Sequence, residues 1–184
     1  MYMKKGRLIS KSILAACTLV AISSTSSAAD SASIEFGAGE KTKMVRIGVQ
    51  WKWEKQWWRS NGTHIGGYWD LTAAHWRGDR YRNIPGNKQN ITAIGITPVF
   101  RFQNDSLKGF YAEAGIGAHL LSELYDNNDK QLSTRFQFGD HIGIGYVFSN
   151  DLDVSLKIQH FSNGSIKKPN DGVNFAVIRA SYPF

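Results

Sequence analysis

Cysteine is nearly absent from the chain: among 184 residues there is one, Cys17, and it lies in the N-terminal segment. Residues 30–184 therefore have no thiol, which excludes both a disulfide and a thiolate metal site in that part. No His-x-x-Glu-His motif and no cluster of carboxylates supplies another set of metal ligands. The sequence accordingly predicts a fold without a bound metal.

Long hydrophobic runs are also missing. No apolar stretch reaches 18 residues, so the sequence excludes a transmembrane helix. A basic start, a short apolar stretch and a small-residue region before position 30 are typical of a secretory signal peptide. We expect residues 1–29 to be removed and residues 30–184 to fold as one domain. The segment Leu14-Ala15-Ala16-Cys17 resembles a lipoprotein box, but the apolar stretch continues past it and disfavours cleavage there.

The charge of residues 30–184 is nearly balanced. The whole chain has a formal net charge of +7, from 22 basic and 15 acidic residues. Four of the positive charges lie in the predicted signal peptide, at Lys4, Lys5, Arg7 and Lys11. The remaining residues therefore have a net charge of +3. So mild an excess argues against a nucleic-acid partner.

Eight segments alternate apolar and polar residues with a period of two, which predicts β-strands. The seventh segment alternates without exception, with polar residues between the apolar positions Leu152, Val154, Leu156 and Ile158. Strands of about ten residues suit an outer-membrane barrel, which is apolar outside and polar inside. We therefore predict an all-β fold, an eight-stranded antiparallel up-and-down outer-membrane β-barrel. The other apolar rows pass through Phe36, Val49, Leu71, Ile96, Ile116, Ile144 and Ile178.

The faces opposite the apolar rows predict a polar interior. They carry glycine and charged residues, which we expect to fill a small barrel as a packed plug: Arg46, Arg101, Glu113, Arg135 and Arg179. The alternative is a soluble ligand-binding barrel, whose apolar face points inward. Aromatic residues on the apolar rows favour the membrane barrel, because they match the girdles at the membrane interfaces: Trp51, Trp53, Trp69, Phe136 and Tyr182. The terminal Phe184 also resembles the end signature of outer-membrane barrels.

Connection lengths predict which end of the barrel faces outside. Three short turns alternate with three long links: 59–62, 104–106 and 149–151 against 77–90, 121–132 and 163–172. Outer-membrane barrels place short turns in the periplasm and long loops outside. The seventh strand runs into a long link, so its last residues are expected at the edge of the outer leaflet.

His160 and Ser162 continue the apolar row of the seventh strand and so share one face. A hydroxyl nucleophile needs an adjacent base, and the base needs a residue that orients it. If the last two strands form a hairpin, we expect Ser162 opposite Asn174, with Asn174 diagonal to His160 and within reach of its second nitrogen. Asn163 and Gly164 follow the serine, where amide donors could form an oxyanion hole. On spacing alone, His-x-Ser is common and usually has no catalytic role, and the two residues could simply be polar side chains that meet lipid headgroups.

A more specific motif lies near the C-terminus, in His160-Phe161-Ser162-Asn163, in the loop Lys168-Pro169-Asn170-Asp171-Gly172 and in the final strand. It resembles the PagL family of lipid A 3-O-deacylases. The resemblance implies an eight-stranded outer-membrane barrel with a histidine and a serine on its lipid-facing surface. It further implies cofactor-free hydrolysis, by a serine esterase, of the ester-linked 3-hydroxyacyl chain at the 3-position of lipid A. His160 would then be the general base and Ser162 the nucleophile.

One position departs from the pattern of that family. The family has an acidic residue, typically Glu, where this chain has Asn174. An Asn can accept the imidazole N–H and fix the tautomer, but it cannot stabilise an imidazolium by charge. In a serine protease triad the corresponding Asp→Asn change lowers turnover about 10⁴-fold. Three alternatives stay open: the enzyme tolerates a neutral orienting residue, Asp171 contributes the charge, or Asn174 only caps its strand.

The expected partners are lipid A, as part of lipopolysaccharide, and the lipids of the outer membrane. A homodimer is compatible with the sequence. Lys167 and Lys168 could pair with lipopolysaccharide phosphates, with solvated surface charge as the equal alternative. The competing function is a non-catalytic barrel that binds lipopolysaccharide or host surfaces. A lipid A palmitoyltransferase is disfavoured, because no amphipathic helix precedes the first strand.

Overall fold

A computed structural model describes residues 28–184, so nearly all of the predicted signal peptide, residues 1–29, lies outside the described residues. Within the described part no helix has the length and apolar character needed to cross a membrane. The same part contains eleven strands: β1 Ser31–Gly39, β2 Thr42–Lys52, β3 Trp57–Ser60, β4 Thr63–Gly78, β5 Gln89–Asn104, β6 Gly109–Leu121, β7 Asp126–Asn127, β8 Lys130–Gln131, β9 Phe136–Val147, β10 Asp153–Ser162 and β11 Val173–Pro183.

Eight of these strands close into an antiparallel barrel. The order around the wall is β2-β1-β11-β10-β9-β6-β5-β4, and β4 pairs again with β2. The strand β3 only extends β4 at one end, while β7 and β8 form a two-stranded hairpin within a loop. The predicted eight-stranded up-and-down barrel is therefore confirmed.

The apolar rows of the strands point out of the barrel. Ile47 and Leu156 are each 60 % exposed, and Ile144 is 64 % exposed. Their neighbours in sequence point inward and are polar or small. This arrangement contradicts the soluble alternative, because a water-soluble barrel would not expose so continuous an apolar belt while burying charge.

The interior is a packed polar network. Among residues 28–184 the buried charged side chains are four cations and four anions: Arg46, Arg101, Lys157, Arg179, Glu35, Asp70, Glu113 and Asp153. Arg101 donates to Glu113 at 2.8 Å and to Asp153 at 2.9 Å. Arg135, also expected inside, is exposed, because β9 begins only at Phe136 and Arg135 belongs to the preceding loop.

At the end where β10 and β4 finish, the interior becomes apolar. There Trp76 of β4, Phe161 of β10 and Phe175 of β11 form an aromatic cluster inside the barrel. The long links gather at this end, as predicted, together with the two-residue turn between β1 and β2. The link that contains β7 and β8 crosses the mouth and is tied to β2 by a 2.7 Å hydrogen bond between the hydroxyls of Tyr125 and Thr42.

Candidate active site

The strand β10 carries His160 and Ser162 on its outward face at the long-loop end. In the register, His160 lies directly opposite Asn174 of β11 on one side and Asp140 of β9 on the other. The predicted register, with Ser162 opposite Asn174, is therefore wrong by two residues. The loop takes up all of residues 163–172, so β11 begins at Val173 and Ser162 extends beyond it. A shift of two preserves the face, so Asn174 still points outward.

His160 and Asn174 are joined by a hydrogen bond. The Nδ1–H of His160 donates to Asn174 Oδ1 at 2.6 Å. An imidazole that donates from Nδ1 carries its free lone pair on Nε2, which can then act as a base. The contact between these two residues was predicted, because both lie on the outward faces of their strands. The register that brings them together differs from the predicted one.

Ser162 stands two residues beyond His160 on the same face, with Phe138 of β9 opposite it. Both His160 and Ser162 are half-buried, so both remain accessible from the lipid side. The Ser162 hydroxyl makes no hydrogen bond to another side chain within residues 28–184. Free enzymes often leave this contact open and close it when substrate binds.

The residue between the pair anchors the strand from inside. Phe161 is buried in the aromatic cluster, with ring centroids 4.7 Å from Trp76 and 6.0 Å from Phe175. Because side chains alternate along a strand, one inward anchor at position 161 fixes the direction of both outward neighbours. Phe175 does the same for Asn174. The packing of Phe161 and Phe175 thus fixes the backbone that carries the outward polar residues.

The backbone of Gly172 lies close to the imidazole ring of His160. A Cβ at this position would lie 2.6 Å from His160 Cε1, and the backbone φ is +73°. The close approach leaves no room for a side chain at this position, and the left-handed backbone favours glycine. The imidazole therefore lies directly against the main chain that leads into β11.

The loop after Ser162 supplies fewer free donors than the sequence suggested. The backbone N–H of Asn163 donates to Asn170 Oδ1 at 2.9 Å, and its side-chain Nδ2 donates to the carbonyl of Lys167 at 2.7 Å. Both donors of the buried Asn163 thus hold the loop together. The N–H of Gly164 has no partner within residues 28–184, so it remains the accessible amide beside Ser162.

The loop also determines the place of Asp171. Its Oδ2 accepts a 2.7 Å hydrogen bond from the backbone N–H of Gln131, in the neighbouring loop. Asp171 therefore helps to dock the two loops, and no hydrogen bond or ion pair joins it to His160 within residues 28–184. Lys167 and Lys168 are exposed in the same loop.

Three residues of the site were given no role in it from the sequence. Asn170 holds the backbone after Ser162, Gly172 supports the histidine ring, and Asp140 shares the outward row with His160. Asp140 alone left a signal, because it interrupts an otherwise apolar row in β9. The other two depend on how the loop folds, which has no periodic pattern.

Comparison with known proteins gives matches along most of the chain. The family described as lipid A 3-O-deacylase (PagL) matches residues 43–183. The lipid A deacylase PagL of Pseudomonas aeruginosa is 33 % identical over 167 residues, which cover 91 % of this chain and 92 % of that protein. The protein of the same name from Bordetella bronchiseptica is 34 % identical over 161 residues, 83 % of this chain and 82 % of that protein.

A solved structure agrees with these matches. The crystal structure of the outer membrane enzyme PagL superimposes with a TM-score of 0.72 at 28 % identity, over 84 % of this chain and 99 % of that one. The similarity thus extends over the barrel as a whole and confirms the resemblance first seen in the C-terminal motif. The chain belongs to the PagL family of lipid A 3-O-deacylases and is an ester hydrolase of the bacterial outer membrane.

Proposed function

We propose that this chain cleaves the 3-O-acyl ester of lipid A as a serine esterase, with its site in the outer leaflet. The observation that carries the proposal is the 2.6 Å hydrogen bond from His160 to Asn174, beside Ser162 on the lipid-facing surface. It holds the proton on Nδ1 and leaves the lone pair of Nε2 free, as a general base requires. The position at the long-loop end matches the leaflet that contains lipid A.

In the first half of the reaction, His160 Nε2 takes the proton of Ser162 while Oγ attacks the ester carbonyl carbon. The N–H of Gly164 donates to the oxyanion that forms. Collapse of this intermediate breaks the bond to the sugar 3-oxygen, which receives the proton from His160. The products are the 3-hydroxyl of the sugar and an acyl ester on Ser162.

In the second half, water replaces the sugar. His160 takes a proton from the water as its oxygen attacks the acyl-serine, and then returns a proton to Ser162 Oγ. The fatty acid leaves and the resting side chains are restored. Asn174 keeps the proton on Nδ1 throughout, so the same nitrogen of His160 serves in both halves.

The acyl chain has an apolar path beside the site. A groove of about 780 Å³ crosses the outer surface of β11 and β10. It passes over Ile158 and Ala176, the outward residues next to His160 and Asn174 on their strands. An acyl chain that lies along this groove would bring its ester to Ser162. Lys167 and Lys168 would contact phosphate at the headgroup level.

Mass spectrometry of lipid A from cells that express the chain tests the proposal. We expect loss of one 3-hydroxyacyl chain with the unaltered protein and with Ser149→Ala, an exposed serine in a turn at the opposite end of the barrel. Ser162→Ala should abolish the loss. Deacylation that persists in Ser162→Ala contradicts the serine mechanism. Gain of palmitate would indicate a transferase, and unchanged lipid A with folded protein would favour the non-catalytic barrel.

A further inference from the structure

The proposed mechanism makes a positive charge at His160 twice, once in each half-reaction. Asn174 orients the ring but is neutral, so it cannot stabilise that charge by Coulomb attraction. The apolar outer surface of the barrel is a poor solvent for an imidazolium. A negative charge from another residue would stabilise the imidazolium.

Two carboxylates near the pair are already engaged. Glu40 follows the end of β1, which pairs with β11 beside Asn174, and it accepts from Lys130 at 3.0 Å. The hydrogen bond from Lys130 lowers the pKa of the Glu40 carboxyl, so the pair is ionic in the resting protein. Asp171 accepts from a backbone amide in the neighbouring loop. Glu40 is thus compensated by a cation, and Asp171 is held by the backbone of another loop.

Asp140 is in a different position. It lies directly opposite His160 in the register of β9 and β10, on the outward face. Side chains at such positions have Cβ atoms about 4.5–5.5 Å apart. Across β11, β10 and β9, Asn174, His160 and Asp140 therefore form one row. Within residues 28–184 the Asp140 carboxylate forms no ion pair and no hydrogen bond.

The surroundings of Asp140 are otherwise apolar. Ile116 faces it from β6, and Phe138 and Ile142 are its outward neighbours on β9. An ionisable residue on a lipid-facing strand is costly, and such residues are by default functional. No cation in the described residues compensates this carboxylate. The charge that fits it is the imidazolium of His160, which forms only during the reaction.

We propose that Asp140 supplies the charge that Asn174 lacks, acting through His160 as a positioning residue. This inference rests on the serine mechanism proposed above. The carboxylate transfers no proton; it favours the imidazolium in the transition state, where the low dielectric of the lipid face strengthens the attraction. The task of one acidic residue on β11 is thus divided between Asn174, which orients the ring, and Asp140, which supplies the charge.

A double-mutant cycle tests this division. Asp140→Asn is made both in the natural protein and in Asn174→Glu, and initial rates on purified lipid A are measured with folded protein in detergent. In the natural background we expect kcat to fall at least tenfold with little change in KM, because the charge matters only in the transition state. In Asn174→Glu, which has its own carboxylate, the fall should be less than about threefold.

Two further variants complete the test. Asp140→Glu keeps the charge and should recover most of kcat. Glu40→Gln removes a carboxylate that is already paired with Lys130 and should leave kcat unchanged. Equal losses in both backgrounds would show that Asp140 does not replace the charge absent from Asn174 and would overturn the proposal, and a raised KM would indicate that Asp140 contacts substrate instead. No loss in either background would overturn it too. Activity in Ser162→Ala is a separate failure, of the mechanism itself.

Discussion

At the scale of single residues, the orientation of His160 depends on contacts from two directions. Asn174 accepts its Nδ1–H from the neighbouring strand, and Gly172 lets the ring lie against the main chain. Both contacts come from the segment where the last loop enters β11. A small change in that segment should therefore move the imidazole away from Ser162.

Gly172→Ala tests the contact beneath the ring. A Cβ there would meet His160, and a displacement of about 1 Å can cost on the order of 100-fold in rate. Gly86→Ala is a matched control, since φ is +80° at Gly86 but no atom lies within 4 Å of the added Cβ. Deacylase rates per folded protein should fall only in Gly172→Ala. Equal rates in the two variants would contradict the role of Gly172.

Asn174 itself can be tested by replacement in two directions. Asn174→Ala removes the acceptor for Nδ1–H, so the tautomer of His160 is no longer selected, and we expect kcat to fall by about 100-fold or more. Asn174→Glu keeps an acceptor and adds charge, so kcat should be retained or raised. The initial rate on purified lipid A is the measurement. If neither change alters it, Asn174 does not orient the histidine.

At the scale of the strand, β10 separates two environments. Its outward residues bear the proposed chemistry, and its inward residues pack in the barrel. The period-two pattern was enough to predict both faces, because it follows from the geometry of any strand. Registers that differ by an even number of residues keep the same faces, so the pattern cannot distinguish between them. That is why His160, and not Ser162, lies opposite Asn174.

Phe161→Ala tests the inward support. Loss of a buried phenyl ring from the aromatic cluster should lower the free energy of unfolding by about 3–5 kcal/mol. The rate should fall as well, since Phe161 lies between His160 and Ser162. Phe102→Ala, on the exposed face of β5, is the control and should do neither. Unfolding in urea, followed by gel mobility of folded and unfolded barrel, gives the first quantity. A Phe161→Ala protein of unchanged stability would contradict the inward anchor.

At the scale of the whole molecule, the barrel is built around balanced charge. Eight buried charged side chains form its polar interior, with the two signs equal in number among the described residues. Each carboxylate in the Arg101 network has a cation within hydrogen-bond distance. Removal of one partner leaves a buried charge without compensation, which costs far more than the loss of an exposed pair.

Glu113→Ala and Glu40→Ala compare these two situations. Glu113 is buried and accepts from Arg101, whereas Glu40 is exposed and pairs with Lys130. Glu113→Ala should lower the free energy of unfolding by about 3–5 kcal/mol. Glu40→Ala should leave it nearly unchanged, because solvent already screens that pair. The measurement is the midpoint of urea unfolding of the two variants in the same detergent. Equal midpoints would contradict the structural role of the interior network.

The order of the residues was enough to predict the barrel, its inner and outer faces, the end that carries His160 and Ser162, and the family. These features follow from a period of two, from link lengths and from a local motif, all of which are properties of the chain alone. The three-dimensional fold was needed to find the register, the docking of Asp171 and the place of Asp140 beside His160. Those depend on contacts between strands and loops that are distant in sequence, where no periodicity specifies which residue meets which.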